Sequence, residues 1–91
     1  MQNFTEDSIR EALREIISQE LKIKPKDISD DSDIANDIGA DSAEMINILF
    51  GIESHFDVEV SNEEASKNLT VQKMVNLLKE KLEMKSANRT S

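Results

Sequence analysis

Asp41-Ser42-Ala43-Glu44-Met45-Ile46-Asn47-Ile48-Leu49-Phe50-Gly51-Ile52-Glu53-Ser54-His55-Phe56 is the stretch on which the reading of this chain turns. Met45, Ile48, Leu49, Ile52 and Phe56 stand at i, i+3, i+4, i+7 and i+11, the spacing of one face of an amphipathic α-helix. Asp41 is a good N-cap, and Glu44 three residues later completes a capping-box pattern, so the helix is expected to open at Asp41-Ser42. Two large apolar residues are left over: Ile46 and Phe50 are four apart and stack on a neighbouring face, next to Ala43 and Asn47. Periodicity leaves two readings of this second stripe equally open. Either a bundle surrounds the helix and buries both stripes, or the second is an exposed apolar strip rimmed by acids on which a partner docks. Gly51 inside the helix costs about 1 kcal/mol relative to Ala, a cost that close helix packing against it would explain.

Working outward, Thr5 can cap a first helix, with Ile9, Ala12, Leu13, Ile16, Ile17 and Leu21 at helical spacing. Pro25 ends that helix at the latest, because the residue before a proline avoids the α region. Lys26 to Ala40 is then a long connection in which Ile28, Ile34 and Ile38 are read as pins into the core. On the other side, Asp57-Val58-Glu59-Val60 alternates like a strand but has no partner strand, and it is read as an extended loop. Ser61-Asn62-Glu63-Glu64 is a capping box opening a short third helix. Thr70 caps a fourth, whose apolar face is Val71, Met74, Val75, Leu78 and Leu82, with Lys79, Lys81 and Lys85 near its C-terminal end, where cations suit the helix dipole. The expected fold is all-α: a small four-helix bundle of three longer helices and one short one, with a long loop between the first and second. One domain is expected over residues 1–85, followed by a flexible C-terminal tail over 86–91.

Composition bounds the function. The chain has 91 residues, 37% hydrophobic and 3% aromatic, with no Cys, which fits one helix-rich domain and excludes a disulfide framework or a thiol nucleophile of its own. With one His and no carboxylate pair that has reason to act as acid and base, it is not expected to be an enzyme. Asp30, Asp31, Asp33 and Asp37 fail calcium-loop spacing, with Ala35 at the fifth position from Asp31 and Asn36 at the sixth, so no dedicated metal site is expected. There is no run of ~18 apolar residues to span a membrane. Met1 to Phe4 leads directly into charged residues without a signal-peptide pattern, so the cytoplasm is the expected compartment. The net charge of −8 is unevenly spread. Residues 27–64 carry twelve acids and no Lys or Arg, while residues 65–91 carry two acids and six bases. Such a middle repels nucleic acid and anionic membranes and attracts basic protein surfaces. A solvated acidic face is the simpler reading of the charge taken by itself.

Ser42 follows Gly39-Ala40-Asp41, and Gly39 allows a sharp approach of the loop. The first amides of a helix are unpaired and point outward, so a phosphodiester on the Ser42 oxygen would meet donors and a favourable dipole. Serine at a helix start is more often a simple capping or first-turn residue. The segment Asp37-Ile38-Gly39-Ala40-Asp41-Ser42-Ala43-Glu44, however, resembles the attachment motif of acyl carrier proteins. The runs Ile52-Glu53-Ser54-His55-Phe56-Asp57-Val58-Glu59-Val60, Asn62-Glu63-Glu64-Ala65 and Leu69-Thr70-Val71-Gln72 are similar to the same family, so the resemblance covers residues 5 to 84.

The resemblance implies that Ser42, flanked by Asp41 and Gly39, carries a 4′-phosphopantetheine arm taken from coenzyme A, whose thiol holds acyl groups as thioesters. It implies a docking face of Ala43, Glu44, Ile46, Asn47, Phe50, Glu53 and Asp57. It implies an acyl pocket of Ile34, Met45, Leu49, Ile52, Val60, Ala65 and Met74. The partners it implies are a phosphopantetheinyl transferase and acyl-processing enzymes with basic docking patches; a monomer is expected. The chain departs from the family at Ala43, where Leu is usual, and at Asn47, Ser54 and His55, where acids are common. Met45, Met74 and Asn68 also differ, which points to a specialised carrier with a reshaped pocket and a restricted partner set. Two other functions fit the same residues: a carrier of aminoacyl or polyketide units, and an unmodified acidic interaction module.

Overall fold

The computed structural model describes residues 4–88, and only the backbone of 86–88. Four helices follow in order: α1 (Glu6–Leu21), α2 (Ser42–Phe56), α3 (Asn62–Lys67) and α4 (Val71–Asn88), with a single 3-10 turn at Pro25–Asp27. The all-α bundle is as expected, with three longer helices, a short one and a long first connection. Helix α4 runs to Asn88, three residues into the stretch read as a tail; residues 89–91 lie outside the described residues.

Local chemistry sets the ends of the helices. The Thr5 hydroxyl accepts the Ser8 N–H at 3.1 Å. Asp41 and Ser61 each form a full capping box, with Glu44 and Glu64 respectively. The Thr70 hydroxyl accepts the Lys73 N–H at 3.2 Å. Helix α1 closes before Pro25: Lys22 takes a left-handed conformation (φ 59°) and its N–H donates to the Ser18 carbonyl.

Ile9, Leu13 and Ile17 of α1, Ile48, Leu49, Ile52 and Phe56 of α2, and Val71, Met74, Val75 and Leu78 of α4 are buried in one core. The long loop reaches this core through Ile28 and Ile34, both buried, while Ile38 packs against it half-buried. Backbone bonds add what the sequence does not reveal. Ile34 N–H donates to the Leu69 carbonyl (2.9 Å), Val71 N–H to Ser32 (3.1 Å) and Gln72 N–H to Asp30 (2.9 Å). From α1, Arg10 and Arg14 both reach Asp30, at 3.1 and 2.9 Å. The loop is thereby tied to α1 and to the α3–α4 junction, and it delivers the chain to the start of α2 in a defined position.

The Gly51 question resolves at the α1–α2 contact. A Cβ at Gly51 would stand 2.9 Å from Cγ2 of Ile16, closer than carbon atoms normally approach. Glycine lets the two helices meet there, and the propensity cost is the consequence.

Candidate functional site

Ser42 is the first residue of α2 and is exposed. The cap around it is fully built. Asp41 Oδ1 accepts the Glu44 N–H at 2.8 Å, and Glu44 Oε1 accepts the Asp41 N–H at 3.0 Å. The Met45 N–H donates to the Asp41 carbonyl at 2.8 Å. That leaves the amides of Ser42 and Ala43 as the outward donors of this helix end, since first-turn N–H groups have no carbonyl behind them. Just upstream, Gly39 holds φ +92°, where an L side chain is strained, and open space surrounds the position a Cβ would take. Ala40 is buried and its N–H donates to the Ile34 carbonyl at 3.0 Å, which anchors the turn. The result is a hydroxyl on a fixed helix N-terminus with two free amides beside it, a setting that suits a phosphodiester in charge and hydrogen bonding. His55, the one histidine of the chain, is thirteen residues further along α2, about 20 Å at the rise of a helix. The chain therefore brings no imidazole to deprotonate Ser42.

The second stripe of α2 is exposed. Ile46 is 46% and Phe50 63% accessible, and Ala43 and Asn47 beside them are exposed too. The surrounded-helix reading of the sequence is thereby excluded: the second stripe is exposed. The acids assigned to the same face have further engagements. Glu44 serves the cap, Glu53 Oε2 accepts the Val60 N–H at 3.0 Å, and Asp57 Oδ2 meets Lys85 Nζ at 2.6 Å. Asp57 also holds a left-handed conformation (φ 56°) at the end of α2.

The acidic middle is solvated, none of its twelve acids being buried, but many of them also have partners within the chain. Asp30, Asp33, Asp37, Asp41, Glu44, Glu53, Asp57 and Glu64, eight of the twelve acids between residues 27 and 64, bind backbone N–H groups or cations of this chain. Glu64 shows the effect on acidity: the Ser61 N–H and then Lys81, at 2.9 Å, hold its carboxyl below the ordinary value. On α1, Glu6 is lowered likewise, first by Arg10 and then by Gln72.

The seven residues assigned to an acyl pocket come from α2, α3, α4, the long loop and the turn before α3. Ile34, Leu49, Ile52, Val60, Ala65 and Met74 are buried in the common core, and Met45 packs against it half-buried. Asn68, at the end of α3, donates its side-chain N–H to the Glu64 carbonyl at 2.8 Å, so its polarity is used locally. Sequence reasoning missed Lys81 and Lys85 as clasps, and Glu20, whose Oε2 accepts from Asn47 Nδ2 at 2.9 Å. No local pattern signals these pairs, because each joins residues at least 17 apart in the chain.

The site is thus an exposed hydroxyl on a capped helix N-terminus with an apolar strip alongside, a setting suited to a covalently attached anionic group. The family model described as "Phosphopantetheine attachment site" matches residues 11–78. The acyl carrier proteins of Buchnera aphidicola subsp. Acyrthosiphon pisum, strains Tuc7, APS and 5A, are each 38% identical over 74 residues, which is 81% of this chain and 92% of theirs. The chain belongs to the acyl carrier protein family, whose members bear phosphopantetheine. Among the described residues, no helix is long and apolar enough to cross a membrane.

Proposed function

We propose that this chain is an acyl carrier whose Ser42 bears the 4′-phosphopantetheine arm. The observation that carries the assignment is the exposed Ser42 hydroxyl at the capped start of α2, beside the free amides of Ser42 and Ala43. When attached, the arm supplies the thiol that holds acyl groups as thioesters. Ser42 Oγ forms one bond to phosphorus, the pyrophosphate bond of coenzyme A breaks, and the nucleotide leaves. The hydroxyl proton passes to a base of the transferase. The Ser42 and Ala43 amides, with the helix dipole, would offer hydrogen bonds and a favourable field to the phosphodiester anion. Asp41 and Glu44 keep that helix end from fraying.

The strip of Ala43, Ile46, Asn47 and Phe50 meets the modifying transferase and, afterwards, acyl-processing enzymes of the cytoplasm. Basic patches on these enzymes complement the carboxylates around the strip. Acyl chains enter the apolar cluster of Ile34, Met45, Leu49, Ile52, Val60, Ala65 and Met74, where the flexible side chains of Met45 and Met74 yield most easily.

Intact mass after incubation with coenzyme A and a broad-specificity phosphopantetheinyl transferase tests the assignment. A gain of one phosphopantetheine, mapped to Ser42, is expected. Ser42→Ala is expected to lose the gain entirely while melting at the same temperature. A mass gain on Ser42→Ala shows that the attachment site lies elsewhere.

A further inference from the structure

One acid beside the exposed strip comes from α1. Asn47 Nδ2 donates to Glu20 Oε2 at 2.9 Å, joining residues 27 apart in the chain. Four residues along α2, Gly51 lets Ile16 come within 2.9 Å of where a Cβ would stand. The pairs Glu20–Asn47 and Ile16–Gly51 step by four in opposite senses along the two helices, as antiparallel helices in contact must. The close approach at Gly51 thus lays the last turn of α1 along the edge of the strip. At 100° per residue, Asn47 lies between the line through Gly51 that faces α1 and the exposed line through Ala43 and Phe50. A carboxylate bound to Asn47 is held at the α1 side of Phe50. Its partner is a neutral amide, so its charge remains. Asp57, by contrast, is paired with the cation of Lys85.

We infer that Glu20 is part of the docking surface, supplying from α1 a charge that α2 lacks at Asn47. Its occupant is a basic protein surface that seats Phe50 in an apolar hollow and sets a Lys or Arg against Glu20. Charge complementarity favours that occupant along α2, since residues 27–64 carry twelve acids and no Lys or Arg; on the α1 side, Glu20 is followed by the exposed cations Lys22 and Lys24. Such a partner reads across the α1–α2 groove as well as along α2. Asn47, itself part of the strip, also positions Glu20, and Glu20 meets the partner's cation. This inference rests on the carrier reading of Ser42.

The test measures kcat and KM for phosphopantetheine transfer from coenzyme A by the broad-specificity transferase, using the full chain and intact mass as readout. Glu20→Gln keeps the shape and a hydrogen-bonding partner for position 47. It is expected to raise KM about three- to fivefold at low salt with kcat unchanged, an effect that fades as salt screens the contact. The double variant Glu20→Gln with Asn47→Glu returns the charge one helix over, and its KM is expected within about twofold of the parent. A KM unchanged in Glu20→Gln, while Phe50→Ala raises it, overturns the role of Glu20 and leaves the carrier reading intact. A parent chain that is folded by circular dichroism yet gains no mass removes the carrier reading, and this inference with it.

Discussion

The two faces of α2 carry side chains of the same kind to opposite fates. Ile52 and Phe56 on one face are buried, whereas Ile46 and Phe50 on the other are 46% and 63% accessible. Neither residue type nor helix propensity separates the pairs. Their neighbours do: α1, α4 and the loop pins Ile28 and Ile34 share a core with the first face. The lesson is that apolar area on a helix serves two ends. On the inner face it leaves water on folding and stabilises the bundle. On the outer face it remains in water until a partner covers it, so its contribution appears in association.

Substitutions on the two faces should therefore separate stability from docking. The largest effect is expected at Ile52→Ala, which leaves a cavity in the core and should cost about 2–5 kcal/mol in urea unfolding. A loss below about 1 kcal/mol would mean that the inner face is not the packed one. Gly51→Ala probes the seam between the faces. The added methyl must displace Ile16, an overpacking cost that better helix propensity only partly offsets, so a net loss of about 1 kcal/mol is expected. A stabilised Gly51→Ala protein would show that α1 and α2 have slack at this contact. Phe50→Ala should change stability by less than about 0.5 kcal/mol. The same variant should raise the transferase KM, and a large fall in melting temperature would place Phe50 in the core instead.

The smallest expected effect concerns acid. Glu6 and Glu64 are held below their ordinary value of 4.5 by partners present in the fold. A lowered folded value means that the unfolded chain binds protons more readily. The stability these groups add is then complete above the ordinary value and is lost as pH falls through the folded one. Urea midpoints are expected to decline on acidification below about pH 5. Glu64→Gln should flatten part of that decline, and an identical pH profile would show that the Ser61 and Lys81 contacts do not contribute to it.

Most of the framework was legible because its signals are local. The caps at Thr5, Asp41, Ser61 and Thr70 act on amides within three residues, and the apolar faces repeat within each helix. The motif around Ser42 that resembles an attachment site is a contiguous segment, and its helix end is built from that segment's own side chains. The burial of part of the cluster assigned to an acyl pocket was also legible, because Met45, Leu49, Ile52 and Met74 lie on periodic faces and Ile34 is a loop pin, whereas Val60 and Ala65 entered only through the resemblance. The acids were not. Asp30 and Glu53 look identical to Asp27 and Glu59 in sequence, yet Arg10 and Arg14 claim the first and the Val60 N–H claims the second.

The sequence by itself determined where the helices begin, which faces are apolar, and which serine stands at an anion-ready helix end. These depend on interactions within about four residues, which a chain of any overall shape would form. Only the tertiary structure decided which of two apolar stripes stays in water. It also decided which carboxylates are spoken for, and that Glu20 of α1 lies against Asn47 of α2. Those outcomes depend on how closely helices approach, and at Gly51 the absence of one carbon atom sets that distance.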